Sequence, residues 1–363
     1  MPPTTLFRYI ALRLTASAFA LTLALASIVM LVDFVENLRF AGKSQADLGF
    51  ALSLTLVRAP AMTQSMAPFI FLFAALWTFG QLNRRSELSV MRSAGLSVWR
   101  LIGPSAFVAA LAGVVMMTLF DPLAADLMSY GEKMKNDVRG KTTSLVRVFG
   151  DGLWLRQRDL GETLLINADA IDSTTGELEG VTIWRLSPDH AFKERIDAPS
   201  AALSGRTIEV RSARLTESAG RPAQRTPLYS IPTRLTLADL QEGAPLPETM
   251  SLFDLPRFIL LAEAAGLPTT RYHLRFHDLC STPMKLVGMV LIAAIFALGP
   301  MRSGGASRLA AAGVAAGFAL YILNEVAAAL GQSGAAPVAL AAWAPAIVGV
   351  IAATTALLRF EES

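Results

Sequence analysis

The sequence predicts an α-helical membrane protein with six transmembrane helices, three on either side of an inserted all-β domain. Composition is the first reason: 53% of the 363 residues are hydrophobic and 17% charged, with a mean hydropathy of +0.46, against about 25% charged in soluble domains. A water-soluble surface cannot be clothed with so few charges, so a bilayer must take the apolar surplus. Distribution is the second reason, because 22 of the 29 Asp and Glu residues fall between Asp121 and Asp278, leaving both ends apolar and basic. The third is a change of grain inside that polar stretch, from helical periodicity to short β-like runs.

The spans follow in order. Nineteen uncharged residues lie between Arg13 and Asp33, and 25 between Arg58 and Arg84. Each is long enough to cross about 30 Å of hydrocarbon as a helix. The first run also exceeds the apolar core of a signal peptide, so it reads as a retained span. A third run covers 101–120, and three more run from about 281 to 301, 309 to 330 and 338 to 358. The breaker segment Gly331-Gln332-Ser333-Gly334-Ala335-Ala336-Pro337 separates the last two. Nine basic residues flank one side of these spans (Arg8, Arg13, Arg84, Arg85, Arg92, Arg100, Arg302, Arg308 and Arg359) and three the other (Arg39, Lys43 and Arg58). The excess of Lys and Arg on cytoplasmic loops then predicts both termini in the cytoplasm and the polar insert across the membrane.

The insert opens as a polar continuation of the third helix through Asp126, Lys133 and Arg139. From Ser144 come β-like runs such as Thr163-Leu164-Leu165-Ile166, Val181-Thr182-Ile183-Trp184 and Thr207-Ile208-Glu209-Val210-Arg211. Gly150-Asp151-Gly152, Thr175-Gly176-Glu177 and Ser204-Gly205 punctuate them at hairpin spacing. A Pro-marked stretch, Pro245 to Pro256, leads into the amphipathic segment 255–265. The chain therefore divides into 1–140 (three spans with a connector helix at about 84–95), 141–250 (the β domain) and 251–363 (a connecting helix and three spans).

Enzymatic readings fail on inventory. His273 and His277 stand at i,i+4 spacing, but no Glu directly follows the first, as a zinc-protease helix requires. There is no Gly-x-Ser-x-Gly elbow. Gly140-Lys141-Thr142 lacks the second glycine of a phosphate loop, because Lys135 stands there. One cysteine, Cys280, rules out an intramolecular disulfide framework and a Cys-rich metal site. No cofactor is expected, and any ATP must be used by a separate ATPase. The pI near 9.2 reflects membrane orientation rather than nucleic-acid binding.

Three features remain. The segment from Arg84 to Gly95 predicts a short helix starting at Ser86, with Glu87 in its first turn, Arg92 late and Gly95 as terminator; Leu88, Met91 and Arg92 share one side. Such a helix suits a partner's groove, and is also compatible with a solvated connector. The basic cluster Lys133, Lys135, Arg139 and Lys141 continues the third span and is placed to meet anionic head groups, or to be solvated. Within the spans, Lys285 and Glu325 each lie 17 residues from a cytoplasmic-side arginine, at a similar depth about 25 Å in. Intramembrane charge is costly unless paired or cavity-facing, so these two are expected to share a polar cavity, as a pair.

Taken together, the topology, the segment Arg85-Ser86-Glu87-Leu88-Ser89-Val90-Met91-Arg92-Ser93-Ala94-Gly95, Arg8-Tyr9-Ile10, Gly152-Leu153-Trp154-Leu155, Gly299-Pro300-Met301-Arg302 and Trp343-Ala344-Pro345 closely resemble the lipopolysaccharide-export permeases of the LptF/LptG (YjgP/YjgQ) family. The form Ser-Glu-Leu-Ser-Val-Met-Arg is nearer the LptG branch. The resemblance implies one transmembrane subunit of an ABC transporter in the bacterial inner membrane. LptF would be its heterodimer partner, an LptB dimer the ATPase, and LptC with LptA the periplasmic bridge that receives lipopolysaccharide. It implies that the β insert is a periplasmic jellyroll-like domain. It also implies that Glu87, Leu88, Met91, Arg92 and Gly95 belong to a coupling helix, with Glu87 the charged contact. Arg39 and Arg139 match basic family positions for lipopolysaccharide, with Lys133, Lys135 and Lys141 neighbours by charge. Asp33 departs from relatives that carry a lysine there. The alternative is a membrane scaffold that transmits ATPase work to a periplasmic partner without passing lipid.

Overall fold

The computed structural model describes residues 3–44, 46–138, 145–149, 152–159, 162–172, 175–187, 191–204, 207–217, 224–233, 245–297 and 306–362. The chain folds as two compact units, one made of 1–131 with 273–363 and the other of 132–272.

The first unit is helical because its sequence is long, apolar and poor in breakers. Its helices are α1 (Pro3–Lys43), α2 (Leu48–Ser65), α3 (Ala67–Arg84), α4 (Glu87–Ser93), α5 (Val98–Val115) and α6 (Asp121–Val138). After the second unit, which holds α7 (Leu255–Ala264), come α8 (Thr270–Ala297), α9 (Ala306–Gln332) and α10 (Val338–Glu362). Among the described residues, five helical stretches are long and apolar enough to cross a membrane: 5–43, 98–138, 270–297, 311–332 and 338–359. The pair α2 and α3, bent by 61°, makes a sixth. The bend has a sequence cause, since Pro68 sits in the first turn of α3 and cannot continue the helix of α2. α5 and α6 are joined through a π-helical turn, Met116–Phe120, into one stretch of 41 residues.

α3 lies at the centre, with Ile70, Phe71, Leu72, Ala74, Ala75, Phe79 and Leu82 all buried in one core with Ile10, Leu14, Leu101, Leu286 and Val290. Small residues set how closely the helices approach, as expected where no hydrophobic drive separates protein from lipid. At Gly113 an added Cβ would overlap the Pro283 Cα and lie 2.8 Å from its backbone nitrogen; at Gly317 it would meet only the methyl end of Leu72. A side chain can rotate and a backbone cannot. Gly113→Ala is therefore expected to destabilise the helical unit by about 1–3 kcal/mol and Gly317→Ala by clearly less, a ranking that thermal unfolding in detergent will check.

The second unit is an eight-stranded antiparallel sheet: β1 (Leu145–Phe149), β2 (Gly152–Asp159), β3 (Glu162–Ala168), β4 (Ala170–Ile171), β5 (Glu177–Leu186), β6 (Phe192–Ser204), β7 (Thr207–Glu217) and β8 (Gln224–Pro232). The order is β1-β2-β3-β5-β6-β7-β8, with β4 paired to β5, so the sheet is a meander in chain order. The sheet wraps until Thr233, just past β8, donates its hydroxyl hydrogen to Gln157 Oε1 of β2 at 2.6 Å. Inward residues Leu155, Ile166, Ile183, Ile196, Val210 and Ile231 fill the concave side.

One row of residues bends every central strand together. Inward positions recur every second residue, as a pleat requires, except at one step of three: Ala168 to Ile171, Leu178 to Val181, Ala198 to Ala201 and Val210 to Ala213. The extra residues lie side by side by register: Asp169, Gly180 (φ 60°), Pro199, Ser212 (φ 56°) and, on β8, Pro227. Gly180 suits this position because its φ of 60° lies in a region that residues with a Cβ rarely adopt. Each strand carries the same irregularity, so neighbours stay in register while the sheet turns a corner.

Candidate functional site

The connector between the second and third spans is a seven-residue helix, α4, bracketed by two left-handed residues, Ser86 (φ 57°) and Gly95 (φ 79°). Gly95 acts as the sequence predicts: its N–H bonds to the Arg92 carbonyl at 2.9 Å and the Leu96 N–H to that of Met91 at 3.2 Å, which satisfies the last turn. Ser86 does not act as predicted. Its side chain makes no cap hydrogen bond, and the residue instead takes a conformation that costs a non-glycine residue about 1–2 kcal/mol. Ser97 caps α5 by accepting from the Arg100 N–H at 3.4 Å.

The apolar stripe of α4 faces inward. Leu88 is 3% exposed in the core that holds Ile10 and Leu14, and Met91 packs beside it. Glu87 also turns toward α1: Tyr9 donates its hydroxyl hydrogen to Glu87 Oε2 at 2.7 Å, and Arg13 Nη2 lies 3.5 Å from Oε1. The Arg13 guanidinium covers the Tyr9 ring at 4.5 Å. The outward face is left to Val90, 66% exposed, with Arg84, Arg85 and Arg92 exposed around it. Sequence reasoning placed Leu88, Met91 and Arg92 on one side; the structure sends the first two to the core and Arg92 outward. Tyr9 and Arg13 were missed, although an aromatic hydroxyl one helical turn before an arginine was visible.

Among the described residues, two ion pairs of the helical unit have a fully buried carboxylate. Asp33, 2% exposed, accepts from Arg58 Nη1 at 2.8 Å and from Asn37 Nδ2 at 2.6 Å; Asn37 also donates to Thr55 at 2.9 Å. This cluster clamps α1 to α2. Asp33, where some relatives carry a lysine, is thus a structural acid held by Arg58 and Asn37. Asp121, 0% exposed, accepts from Arg275 Nη2 at 2.9 Å and from Gln64 Nε2 at 3.1 Å. It ties the π-helical turn to α8 and to the end of α2 beside the bend.

The remaining predicted residues separate. The Lys285 ammonium pairs with Asp278, two turns earlier on α8, rather than with Glu325. Glu325 is exposed on α9, beside the Tyr321 hydroxyl. Arg39 and Lys133 are exposed, whereas Lys135 lies 3.5 Å from Glu132. Arg139 and Lys141 lie outside the described residues, as does Gly299-Pro300-Met301-Arg302. Among the described residues no three His, Cys, Asp or Glu side chains gather as metal ligands.

Comparison with known proteins bears on this arrangement as a whole. The family profile for the lipopolysaccharide export system permease LptF/LptG matches residues 8–359. The chain is similar to the lipopolysaccharide export system permease protein LptG of Haemophilus influenzae, 25% identical over 342 residues that cover 91% of this chain and 90% of the relative. It is also similar to LptG of Escherichia coli K12, 24% identical over 326 residues, 88% of each chain.

Proposed function

Because the chain belongs to the LptF/LptG family of lipopolysaccharide export permeases, we propose that it is the LptG-like transmembrane subunit of an ABC transporter that extracts lipopolysaccharide from the outer leaflet of the inner membrane. A separate ATPase of the LptB kind supplies the energy, an LptF-like subunit completes the cavity, and the curved sheet hands lipid to a periplasmic bridge of LptC and LptA. Both termini and α4 then lie in the cytoplasm, as the distribution of Lys and Arg supports.

The observation that carries this reading is the two-faced connector. A short helix with its apolar side and its carboxylate fixed to its own bundle presents a rigid outward face of Val90 and Arg92, which is what a coupling helix needs in order to receive force. Leu88 and Met91 then act as its anchor, Gly95 as its terminator, and Glu87 joins the anchor. For the substrate, exposed cations Arg39 and Lys133, with Arg139 and Lys141, are the proposed contacts for lipid phosphates; Lys135 is shared with Glu132.

Co-purification in mild detergent followed by mass spectrometry of proteins and lipids tests the reading. An ATPase together with a phosphorylated lipid A-type lipid is expected; an ATPase without such lipid would instead favour a force-transmitting scaffold. Val90→Asp places a charge at the centre of the outward face, and is expected to reduce ATPase recovery at least about tenfold while leaving the permease folded. Full ATPase recovery in that variant would remove α4 as the docking element.

A further inference from the structure

The contacts of α4 with the first span point to a second role for this region. If α4 were joined to the bundle only through its flanking loops, a push on it would be spent on bending residues 85–86 and 94–97, where both left-handed residues lie. The structure instead gives α4 a direct polar fastening to α1. Tyr9 and Arg13 stand one turn apart on α1, so both reach the same carboxylate: Tyr9 at 2.7 Å on one oxygen of Glu87, and Arg13 at 3.5 Å on the other. The guanidinium stacked on the phenol ring at 4.5 Å holds both donors in place. Beneath them, Leu88 is buried in the same apolar core as Ile10 and Leu14, with Met91 packed against that core, so apolar burial accompanies the polar fastening.

We propose that Tyr9 and Arg13 are positioning residues that latch the connector to the first span through Glu87, so that displacement of α4 is delivered to α1 itself. They act through Glu87. The carboxylate held by a hydroxyl and a guanidinium adds two polar contacts on α1 to the apolar anchoring of α4 by Leu88 and Met91. The first span therefore moves with the connector as one lever.

This inference rests on the transport reading above, and its test keeps the two apart. The whole permease complex with its ATPase is reconstituted in vesicles, and ATP hydrolysis and lipid release are measured on the same sample. Tyr9→Phe removes one hydrogen-bond donor at nearly constant shape, and Arg13→Gln removes the charge. In the double variant ATPase recovery and ATP hydrolysis are expected to stay within about twofold of the unmodified complex, while lipid released per ATP falls at least about fivefold. Arg13→Lys alone, which keeps the charge, is expected to retain more than half of the release. Unchanged release per ATP in the double variant would overturn the latch. Loss of the ATPase from Tyr9→Phe would also overturn it, by making the residue part of the docking surface. If the unmodified complex released no lipid while hydrolysing ATP, the transport reading itself would fall.

Discussion

Arg58→Met, with Asp33 left in place, is expected to destabilise the helical unit by about 3–5 kcal/mol. The magnitude follows from asymmetry rather than from the strength of the ion pair. With both partners present, the Coulombic gain at 2.8 Å roughly offsets the cost of taking two charges from solvent. With Arg58 removed, a carboxylate that is 1% exposed keeps, among the described residues, Asn37 as its one neutral donor. Adding Asp33→Asn to Arg58→Met removes the stranded charge, and the double variant is expected to recover to within about 1.5 kcal/mol of the parent. Thermal unfolding in detergent, followed by tryptophan fluorescence, measures both. A double variant no more stable than the single one would show that Asp33 is not held in the interior as a charge.

The second large effect belongs to Asp121. Its carboxylate is fully buried and joins three elements, so Asp121→Ala strands Arg275, whose Nε already has no hydrogen-bond partner among the described residues. Asp121→Ala and Arg275→Met are each expected to cost about 3–5 kcal/mol. Asp121→Asn retains an acceptor for Gln64 and leaves the guanidinium with a neutral oxygen, so it should cost roughly half as much. The order matters more than the size. If Asp121→Asn cost nothing, charge would not be what holds the π-helical turn to α8; if it were as damaging as Asp121→Ala, the neutral acceptor would contribute nothing and charge everything.

What the sequence made legible, and what it hid, follows from the range of the forces involved. Spans are long-run properties, so uncharged runs of 19 to 25 residues located them. Helix ends were less visible: α8 begins at Thr270, well before its apolar run, because polar residues such as His273 and Arg275 are as helix-competent as their apolar neighbours. The bend between α2 and α3 was concealed in one uncharged run, although Pro68 marked it. Glu87, Leu88 and Met91 were found, but a two-turn amphipathic helix does not say whether its stripe faces its own bundle or another protein. Lys285 had its partner seven residues away on the same helix, and depth alone drew attention to Glu325 instead. Asp33 and Arg58 are 25 positions apart across a helix turn, Asp121 and Arg275 are 154 apart, and such pairs exist only once the helices are packed.

The corner in the sheet has a consequence for how this domain can vary. On the far side of the row formed by Asp169, Gly180, Pro199, Ser212 and Pro227, each strand runs out of phase with its own beginning. Deleting one residue from β7 alone would restore perfect alternation there and thereby turn either Ile208 and Val210 or Ala213 and Leu215 toward water. Length changes are therefore tolerable at the hairpin tips and forbidden within any single strand. Register is kept only if the extra residues are removed from all the strands together, so the curvature of this sheet belongs to the whole row and to no strand by itself.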